Sequence, residues 1–175
     1  MVITTHELGS LFTLRPPESA EEWELVHSIR QRAIFEPQLP HIAYDPENRP
    51  EDHATGHQVL CLLRNTVLVG TVRVDDLGEG RAAWRQLAIE PACHGLGYGR
   101  VLLALAERWA ARRGYRRVVL HSPKAALMFY ARNGYLHSEW DEISLDPAND
   151  VTLGKRLNLG LAQSPRHVLH AAAAR

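Results

Sequence analysis

The feature that most restricts how this chain can fold is the segment from Trp84 to Arg100, where an apolar strand, a glycine-rich turn and a helix follow one another. Glycines alternate in the turn at positions 95, 97 and 99. Because the turn carries few side chains, its backbone N–H groups can converge on one point at the positive end of a helix. This arrangement is typical of a phosphate or pyrophosphate site. A glycine turn used only for tight packing is the alternative interpretation.

Two other phosphate-binding motifs do not match the turn. A P-loop needs a lysine followed by serine or threonine after its last glycine, and Arg100-Val101 stands there instead. A dinucleotide fingerprint needs the spacing GxGxxG and an acidic residue about 20 positions later, at the end of the next strand. The chain has GxGxG, and the next predicted strand ends in Leu120-His121. The turn therefore belongs to a different fold.

Patterns of apolar residues around the turn predict the remaining elements. A capping box of Ser19 and Glu22 starts a helix that runs to Phe35, and a polar segment over residues 36–56 is expected to form a long loop that acts as a lid or a wall. The helix after the glycines ends near Gly114, and a further helix is predicted from Ser122-Pro123 to Gly134. The predicted strands are Leu11–Leu14, Val59–Arg64, Val67–Val74 with a bulge at Gly70, Ala82–Ile89, Arg117–Leu120, Leu136–Leu145 and Val151–Leu157.

Consecutive strands joined by short turns predict an antiparallel meander, and the strand–helix–strand unit after it predicts one parallel crossover. The expected fold class is α/β (α+β): a mixed, mostly antiparallel sheet of six to seven strands with helices on both faces. We expect a single domain over residues 1–160 and a C-terminal tail over residues 161–175, where the sequence has no strong period.

The glycine segment resembles motif A of the GCN5-related N-acetyltransferase (GNAT) family, an apolar strand followed by [RQ]-x-x-G-x-[GA] and an amphipathic helix. His94, Gly97 and Gly99 stand at the three consensus positions. Residues 126–135 (ALMFYARNGY) resemble motif B of the same family, at the right separation from the first motif. The resemblance covers roughly residues 10–157.

Membership in this family implies an enzyme that transfers an acetyl group from acetyl-CoA to a primary amine of a small molecule or peptide by direct attack. The family's pantetheine arm pairs with main-chain groups at positions matching Leu87 and Ile89, and Tyr130 matches the tyrosine that acts at the departing sulfur. A phenol can donate a proton or hydrogen bond to a thiolate. The expected cofactor-binding residues are Leu87, Ala88, Ile89, His94, Gly95, Leu96, Gly97, Tyr98, Gly99 and Arg100.

Two residues depart from the family pattern. His94 replaces the usual Arg or Gln, so pyrophosphate binding would rely more on backbone N–H groups, with Arg100 assisting. Pro123 replaces an asparagine that often contacts the pantetheine arm. Whether these changes weaken CoA binding is open at this stage.

The general base is also open, because the strand before the turn carries no carboxylate. Four residues elsewhere in the sequence could serve, and desolvation of the amine in a closed pocket is a further route. A non-catalytic acyl-CoA-binding sensor or regulatory module is the alternative function. The four residues are His57, Asp75, Asp76 and Glu142.

Composition and charge disfavour two classes of binding partner, nucleic acid and membranes. A formal net charge of +0 and a pI near 7.2 disfavour nucleic acid, and no apolar run reaches the roughly 18 residues that a membrane helix needs. Two cysteines and scattered histidines have no metal-site spacing, so no metal is expected. We expect a cytoplasmic protein without a secretion signal, and the family resemblance is compatible with a homodimer.

Overall fold

A computed structural model describes residues 1–158 and contains one eight-stranded mixed sheet. The strands follow the spatial order β1-β2-β3-β4-β5-β6-β8-β7; β5 and β6 pair in parallel and the other neighbours pair antiparallel. The predicted fold class and meander are confirmed, with more strands than expected. The expected tail at residues 161–175 lies outside the described residues. The strands are β1 Ile3–Glu7, β2 Ser10–Arg15, β3 His57–Arg64, β4 Val67–Gly78, β5 Arg81–Ile89, β6 Arg117–Pro123, β7 Leu136–His137 and β8 Asp150–Arg156.

The helices cover both faces of this sheet, as the sequence predicts. Helix α1 (Ala20–Arg30) continues through a π-helical turn (Gln31–Phe35) into the short α2 (Glu36–Gln38) and packs on one face. Helices α3 (Tyr98–Arg112) and α4 (Leu127–Arg132) pack on the other. Within residues 1–158, no helix is long and apolar enough to cross a bilayer.

Strand β3 shows why the central strands read as continuous apolar runs. Leu60 and Leu62 point into the core beneath α3, whereas Val59, Cys61 and Leu63 point into the core beneath α1. Side chains alternate between the two faces of a strand, so a strand covered by helices on both sides needs apolar residues at every position. The predicted bulge near Gly70 is present, since Leu62 pairs with Gly70 but Leu63 pairs with Leu68.

The expected helix start at Ser122-Pro123 is wrong. Strand β6 extends through Pro123, which has extended backbone (ψ 144°) and pairs with Asp150 of β8. The chain turns only at Lys124–Ala126, in a 3-10 turn, and α4 begins at Leu127. A serine followed by proline fits a helix start and an extended strand end equally well, and pairing with β8 selects the second.

Two other strand predictions need correction. Residues 3–7 form β1, an edge strand whose polar side chains gave no strong apolar signal and whose only fully buried side chain is Ile3. The predicted strand Leu136–Leu145 is reduced to Leu136–His137. Beyond it the chain leaves the sheet, and Trp140 stacks on His121 at 4.5 Å between ring centroids.

Candidate active site

The sheet opens between its two parallel strands. Strands β5 and β6 pair from Arg81 to Ala83 against Arg117 to Val119 and then separate. Beyond Ala83, β5 stays paired with β4 on its other side as far as Ile89. One edge of β5 over residues 84–89 therefore has no strand partner within the described part of the chain, and its main-chain groups face the opening.

A β-bulge accompanies the separation of the strands. Thr71 pairs with Ala88 but Arg73 pairs with Arg85, so β5 carries an extra residue between these pairs. Gln86, within that stretch, has a φ of +48°, which is an unusual conformation for a side chain other than glycine. Such bulges bend a strand and re-aim its side chains. The bulge therefore turns the second half of β5 away from β6.

A cleft of about 980 Å³ lies at this opening. Its floor is the second half of β5, from Trp84 to Leu87, and its walls come from the end of β6, from α4 and from the loops before β3 and before β8. The four residues that the sequence offers as general bases all line it, as does Tyr130. The segment 36–56, expected to be a lid or a wall, contributes Leu39, Ile42, Arg49 and Glu51 to the lining.

The glycine turn leads directly into α3, with Gly97 as its N-terminal cap. Gly95 and Gly97 have φ values of +78° and +83°, a conformation that favours glycine. Within residues 1–158, the backbone N–H groups of Gly95, Gly97, Tyr98 and Gly99 find no hydrogen-bond acceptor. These unpaired donors lie at the positive end of a 15-residue helix, the physical requirement for anion binding.

The two cationic candidates of the turn are already engaged. The Nε2 of His94 lies 2.9 Å from the carbonyl oxygen of Ile89, so the ring donates back to the strand that precedes the turn. Arg100 forms an ion pair with Glu7 of β1, at 2.9 Å between Nη2 and Oε2. Both side chains are exposed, and Arg100 keeps further N–H donors beside the unpaired main-chain donors of the turn.

The other expected cofactor-binding residues divide between the two faces of the sheet. Leu87 and Ile89 are partly buried against the core beneath α3, and Ala88 is buried beneath α1. Tyr98 is buried with its ring edge-on to Phe12, whereas Leu96 is exposed. Ala88 and Tyr98 could therefore contact a ligand in the opening mainly through their main-chain groups, whereas the side chain of Leu96 is accessible.

Tyr130 lies in α4 at the wall of the cleft. Its ring packs edge-on against Phe129 and Tyr135, at centroid distances of 5.0 and 5.6 Å. Burial raises the pKa of Tyr130 well above that of a free phenol, so the hydroxyl keeps its proton at neutral pH. Phe129 also touches the turn: a Cβ added at Gly99 would lie 3.3 Å from its ring. This contact joins the start of α3 to the helix that carries Tyr130.

On the α1 side of the sheet, acidic and basic side chains alternate in a charge network that begins behind the cleft and continues into its lining. Asp52 contacts Arg30 at 2.5 Å and Arg73 at 3.4 Å. Arg73 donates two hydrogen bonds, of 2.7 and 2.9 Å, to Asp75. Asp75 in turn lies 3.6 Å from Nε of Arg85, which pairs with Glu142. The network consists of Arg30, Asp52, Arg73, Asp75, Arg85 and Glu142.

Most of this network escaped the sequence analysis. Its members come from α1, the loop before β3, two strands and the loop before β8, and only the sheet register brings them together. Arginines within strands of an otherwise apolar sheet, at positions 73 and 85, are the one signal that the sequence carried. Arg85 also lies over the ring of Trp140, at 4.4 Å, which ties the loop before β8 to the floor of the cleft.

Comparison with known proteins agrees with this architecture. A candidate N-acetyltransferase from Lactobacillus plantarum superposes with a TM-score of 0.67 at 24% identity, covering 83% of this chain and 98% of that one. The ribosomal-protein-S18-alanine N-acetyltransferase of Escherichia coli gives 0.66 at 16% identity, covering 87% and 98%. The PaiA N-acetyltransferase of Thermoplasma acidophilum, solved in complex with coenzyme A, gives 0.64 at 16% identity, covering 83% and 98%.

These structures show that the fold is shared, and a sequence comparison identifies the family. The profile of the acetyltransferase (GNAT) family matches residues 23–135, which include the bulged strand, the glycine turn and Tyr130. The match spans well over half of the chain and both motifs that the sequence analysis singled out. The protein therefore belongs to the acetyltransferase (GNAT) family.

Proposed function

We propose that this protein is an N-acetyltransferase that transfers the acetyl group of acetyl-CoA to a primary amine of a small molecule or peptide. The observation that carries the proposal is the opening between β5 and β6, with unpaired turn amides at the end of β5 and Tyr130 in its wall. A relative with the same fold acts on an alanine of a ribosomal protein, and another was solved with coenzyme A.

The turn amides are suited to the diphosphate of CoA. Four N–H groups between Gly95 and Gly99 would donate to phosphate oxygens, and the α3 dipole would add to the attraction. The pantetheine arm would then run along the unpaired edge of β5 and exchange main-chain hydrogen bonds with Leu87 and Ile89. In this proposal His94 supports the turn through Ile89, and Arg100, which is paired with Glu7, assists the turn amides with its remaining N–H donors.

Tyr130 would protonate the departing sulfur. As the amine nitrogen bonds to the thioester carbonyl carbon, the carbon–sulfur bond breaks and a thiolate leaves. A thiol has an ordinary pKa near 8.5, so the Tyr130 hydroxyl, which burial keeps protonated, can donate to the thiolate. The nitrogen releases a proton as the amide forms, which restores the phenol.

The experiment is a pair of measurements on the purified chain. Calorimetry with CoA and acetyl-CoA tests binding, and release of free thiol tests turnover against amino acids, polyamines, aminoglycosides and peptides with free N-termini. Propionyl-CoA in parallel tests acetyl selectivity. We expect binding and turnover with at least one amine. Binding without turnover across the panel would favour the acyl-CoA sensor, and absence of binding would refute both functions.

A further inference from the structure

We infer that His57 is the general base that removes a proton from the acceptor amine, directly or through one water molecule. This inference rests on the proposed function, because it supplies a step that the transfer requires. An amine with an ordinary pKa near 10.4 is protonated at neutral pH and must lose a proton before it can attack. Of the four candidates that line the cleft, His57 has the chemistry and the surroundings for that role.

The hydrogen bonding of His57 fixes which ring nitrogen is free. Nδ1 lies 2.6 Å from the carbonyl oxygen of Glu51. A carbonyl oxygen can only accept, so Nδ1 must carry the hydrogen, and Nε2 of the neutral ring then carries a lone pair. The side chain is about a quarter exposed and lines the cleft. The hydrogen bond from Nδ1 to the Glu51 carbonyl oxygen therefore leaves Nε2 as the proton acceptor of the ring.

The register of the sheet places His57 beside the opening. His57 begins β3 and pairs with Asp75, which pairs with Ala83, the last residue at which β5 still contacts β6. The Asp75 carboxylate lies 3.7 Å from Nδ1 of His57 on one side and 3.6 Å from Nε of Arg85 on the other. Arg85 belongs to the unpaired part of β5, so one carboxylate separates the imidazole from the strand edge along which the thioester would lie.

Charged groups of several neighbouring elements surround His57. The Asp75 carboxylate lies near Nδ1, the ring nitrogen that is not free. The cations of the neighbouring elements are each paired with carboxylates. The charged groups facing this region are Glu51 and Asp52 from the loop before β3, Arg49 beside them, Arg73, Asp75 and Asp76 from β4, and Arg85 from β5.

The three carboxylate candidates are already committed. Asp75 accepts two hydrogen bonds from Arg73, and Glu142 pairs with Arg85. Asp76 accepts from the backbone N–H of Gly78 and turns toward Gly56. Each of these carboxylates therefore already has a protein partner on its oxygens, whereas Nε2 of His57 has none.

His121 is the strongest competitor. Burial, together with the Arg85 cation, lowers its pKa, so the ring is neutral at pH 7. Its Nε2, however, is buried without a hydrogen-bond partner, and the ring stacks against Trp140. A base must reach the proton that it removes. His57 is exposed to the cleft at its free nitrogen, whereas His121 would have to move.

The protons and bonds of the proposed reaction balance. The ammonium gives one proton to Nε2 of His57, which passes it to solvent after the turnover. The neutral amine forms the nitrogen–carbon bond, and the carbon–sulfur bond breaks with its electron pair going to sulfur. The second nitrogen proton leaves as the amide forms and replaces the proton that Tyr130 gives to the thiolate. The products are an amide, a free thiol and one proton.

The test compares His57→Gln with His121→Gln and with a matched control, His137→Gln, at an exposed position on β7. Each variant is assayed for kcat/KM between pH 5 and 10, with the amine that gives the highest turnover in the panel above. We expect His57→Gln to lose about 100-fold or more at pH 7 and to regain rate as the pH rises and the amine deprotonates unaided. The control should follow the wild type, and acetyl-CoA affinity should be the same in all forms.

A second readout needs no acceptor. Long-range 1H–15N spectra of the acetyl-CoA-loaded protein, labelled at histidine nitrogens, report the tautomer of each ring. We expect His57 to be protonated at Nδ1 with Nε2 free. A hydrogen on Nε2 in the neutral ring would overturn the inference, and so would full activity of His57→Gln. The inference would also fail if the decrease of kcat/KM at low pH disappeared in His121→Gln and not in His57→Gln. Absence of wild-type turnover would instead count against the proposed function.

Discussion

At the scale of single residues, two buried tyrosines on the α3 side of the sheet differ in their hydrogen bonding. Tyr130 contributes a hydroxyl to the cleft, while Tyr135 accepts from Nε1 of Trp84 at 2.7 Å and donates to Glu107 at 3.0 Å. Tyr135 is fully satisfied by protein groups, so its role is structural. Tyr130 has no hydrogen-bond partner within residues 1–158, which leaves its hydroxyl free for a substrate.

Replacement of Tyr130 by phenylalanine removes one oxygen and keeps the ring that packs on Tyr135. We expect kcat to fall by about 100-fold or more, because the thiolate must then leave without a proton donor, while the Kd for acetyl-CoA changes little. Steady-state thiol release and calorimetry check the two parts. Tyr135→Phe serves as the comparison and is expected to cost stability with a smaller effect on kcat. An unchanged kcat in Tyr130→Phe would remove the residue from the mechanism.

The same tyrosines make stability depend on alkaline pH. Burial raises the pKa of both hydroxyls above the ordinary value near 10, and the nearby Glu107 carboxylate raises that of Tyr135 further. Above pH 10 the unfolded chain loses phenolic protons that the folded chain keeps. The free energy of unfolding is therefore at its full value below pH 10 and falls by about 1.4 kcal/mol per pH unit per tyrosine above it.

Urea denaturation at pH 9, 10 and 11 measures this slope. The Tyr130→Phe variant should show a shallower decline than the wild type because one of the buried groups that keep their proton in the folded chain is gone. Identical slopes in the two proteins would contradict the assignment of Tyr130 as a buried, proton-retaining phenol.

At the scale of elements, helix α3 offers two glycines with nearly the same backbone strain at opposite ends. Gly95 precedes its start with a φ of +78°, and Gly114 follows its end with a φ of +88°. A Cβ added at either glycine would meet no atom within 4 Å. Alanine at either position thus costs stability through φ alone, on the order of 1 kcal/mol.

Alanine at these two glycines should have different effects on the affinity for CoA. Gly95→Ala places a methyl group among the turn amides that we propose for the diphosphate, so we expect the Kd for CoA to rise at least tenfold. Gly114→Ala should leave that Kd unchanged while lowering the free energy of unfolding by a similar amount. Calorimetry and urea denaturation of the two variants separate binding from stability. Equal CoA affinity in both would place the diphosphate elsewhere.

The elements themselves show what local sequence can and cannot predict. The two motifs and the apolar runs located α3, β3 to β6 and the parallel crossover, because these signals lie within short windows. The start of α4 was misplaced because Pro123 takes its conformation from a strand 27 residues later. The bulge at Gln86 left no trace in composition, since it arises from the pairing of its neighbours, Arg85 with Arg73 and Ala88 with Thr71.

At the scale of the whole molecule, the charge network joins parts of the chain that are distant in sequence. Arg30 and Asp52 are both fully buried, and two of the Arg30 nitrogens lack a hydrogen-bond partner within residues 1–158. A buried ion pair costs desolvation on both sides, so it contributes little beyond an apolar pair but is expensive to break. The candidate site was predictable where motifs define it and unpredictable where, as here, tertiary register assembles it.

Removal of one partner of the Arg30–Asp52 ion pair should reveal the free-energy cost of breaking it. Asp52→Ala leaves Arg30 buried without its carboxylate, and we expect the free energy of unfolding to fall by about 3–5 kcal/mol. The double variant Arg30→Met, Asp52→Leu removes both charges and should recover much of the loss. Urea denaturation of the single and double variants completes the comparison. A loss below about 1 kcal/mol in Asp52→Ala would mean that the pair is hydrated in solution.

The separation of β5 from β6 has a consequence for stability. Half of a central strand has an edge without a strand partner in the described residues. A ligand that pairs with this edge, as we propose for CoA, and that binds only the native state would stabilise the folded chain. Such linkage adds RT ln(1 + [L]/Kd), about 2.7 kcal/mol at a hundredfold excess over Kd. If the proposed acetyl-CoA binding is correct, we expect the lifetime of the purified chain under protease to lengthen as the acetyl-CoA concentration is raised.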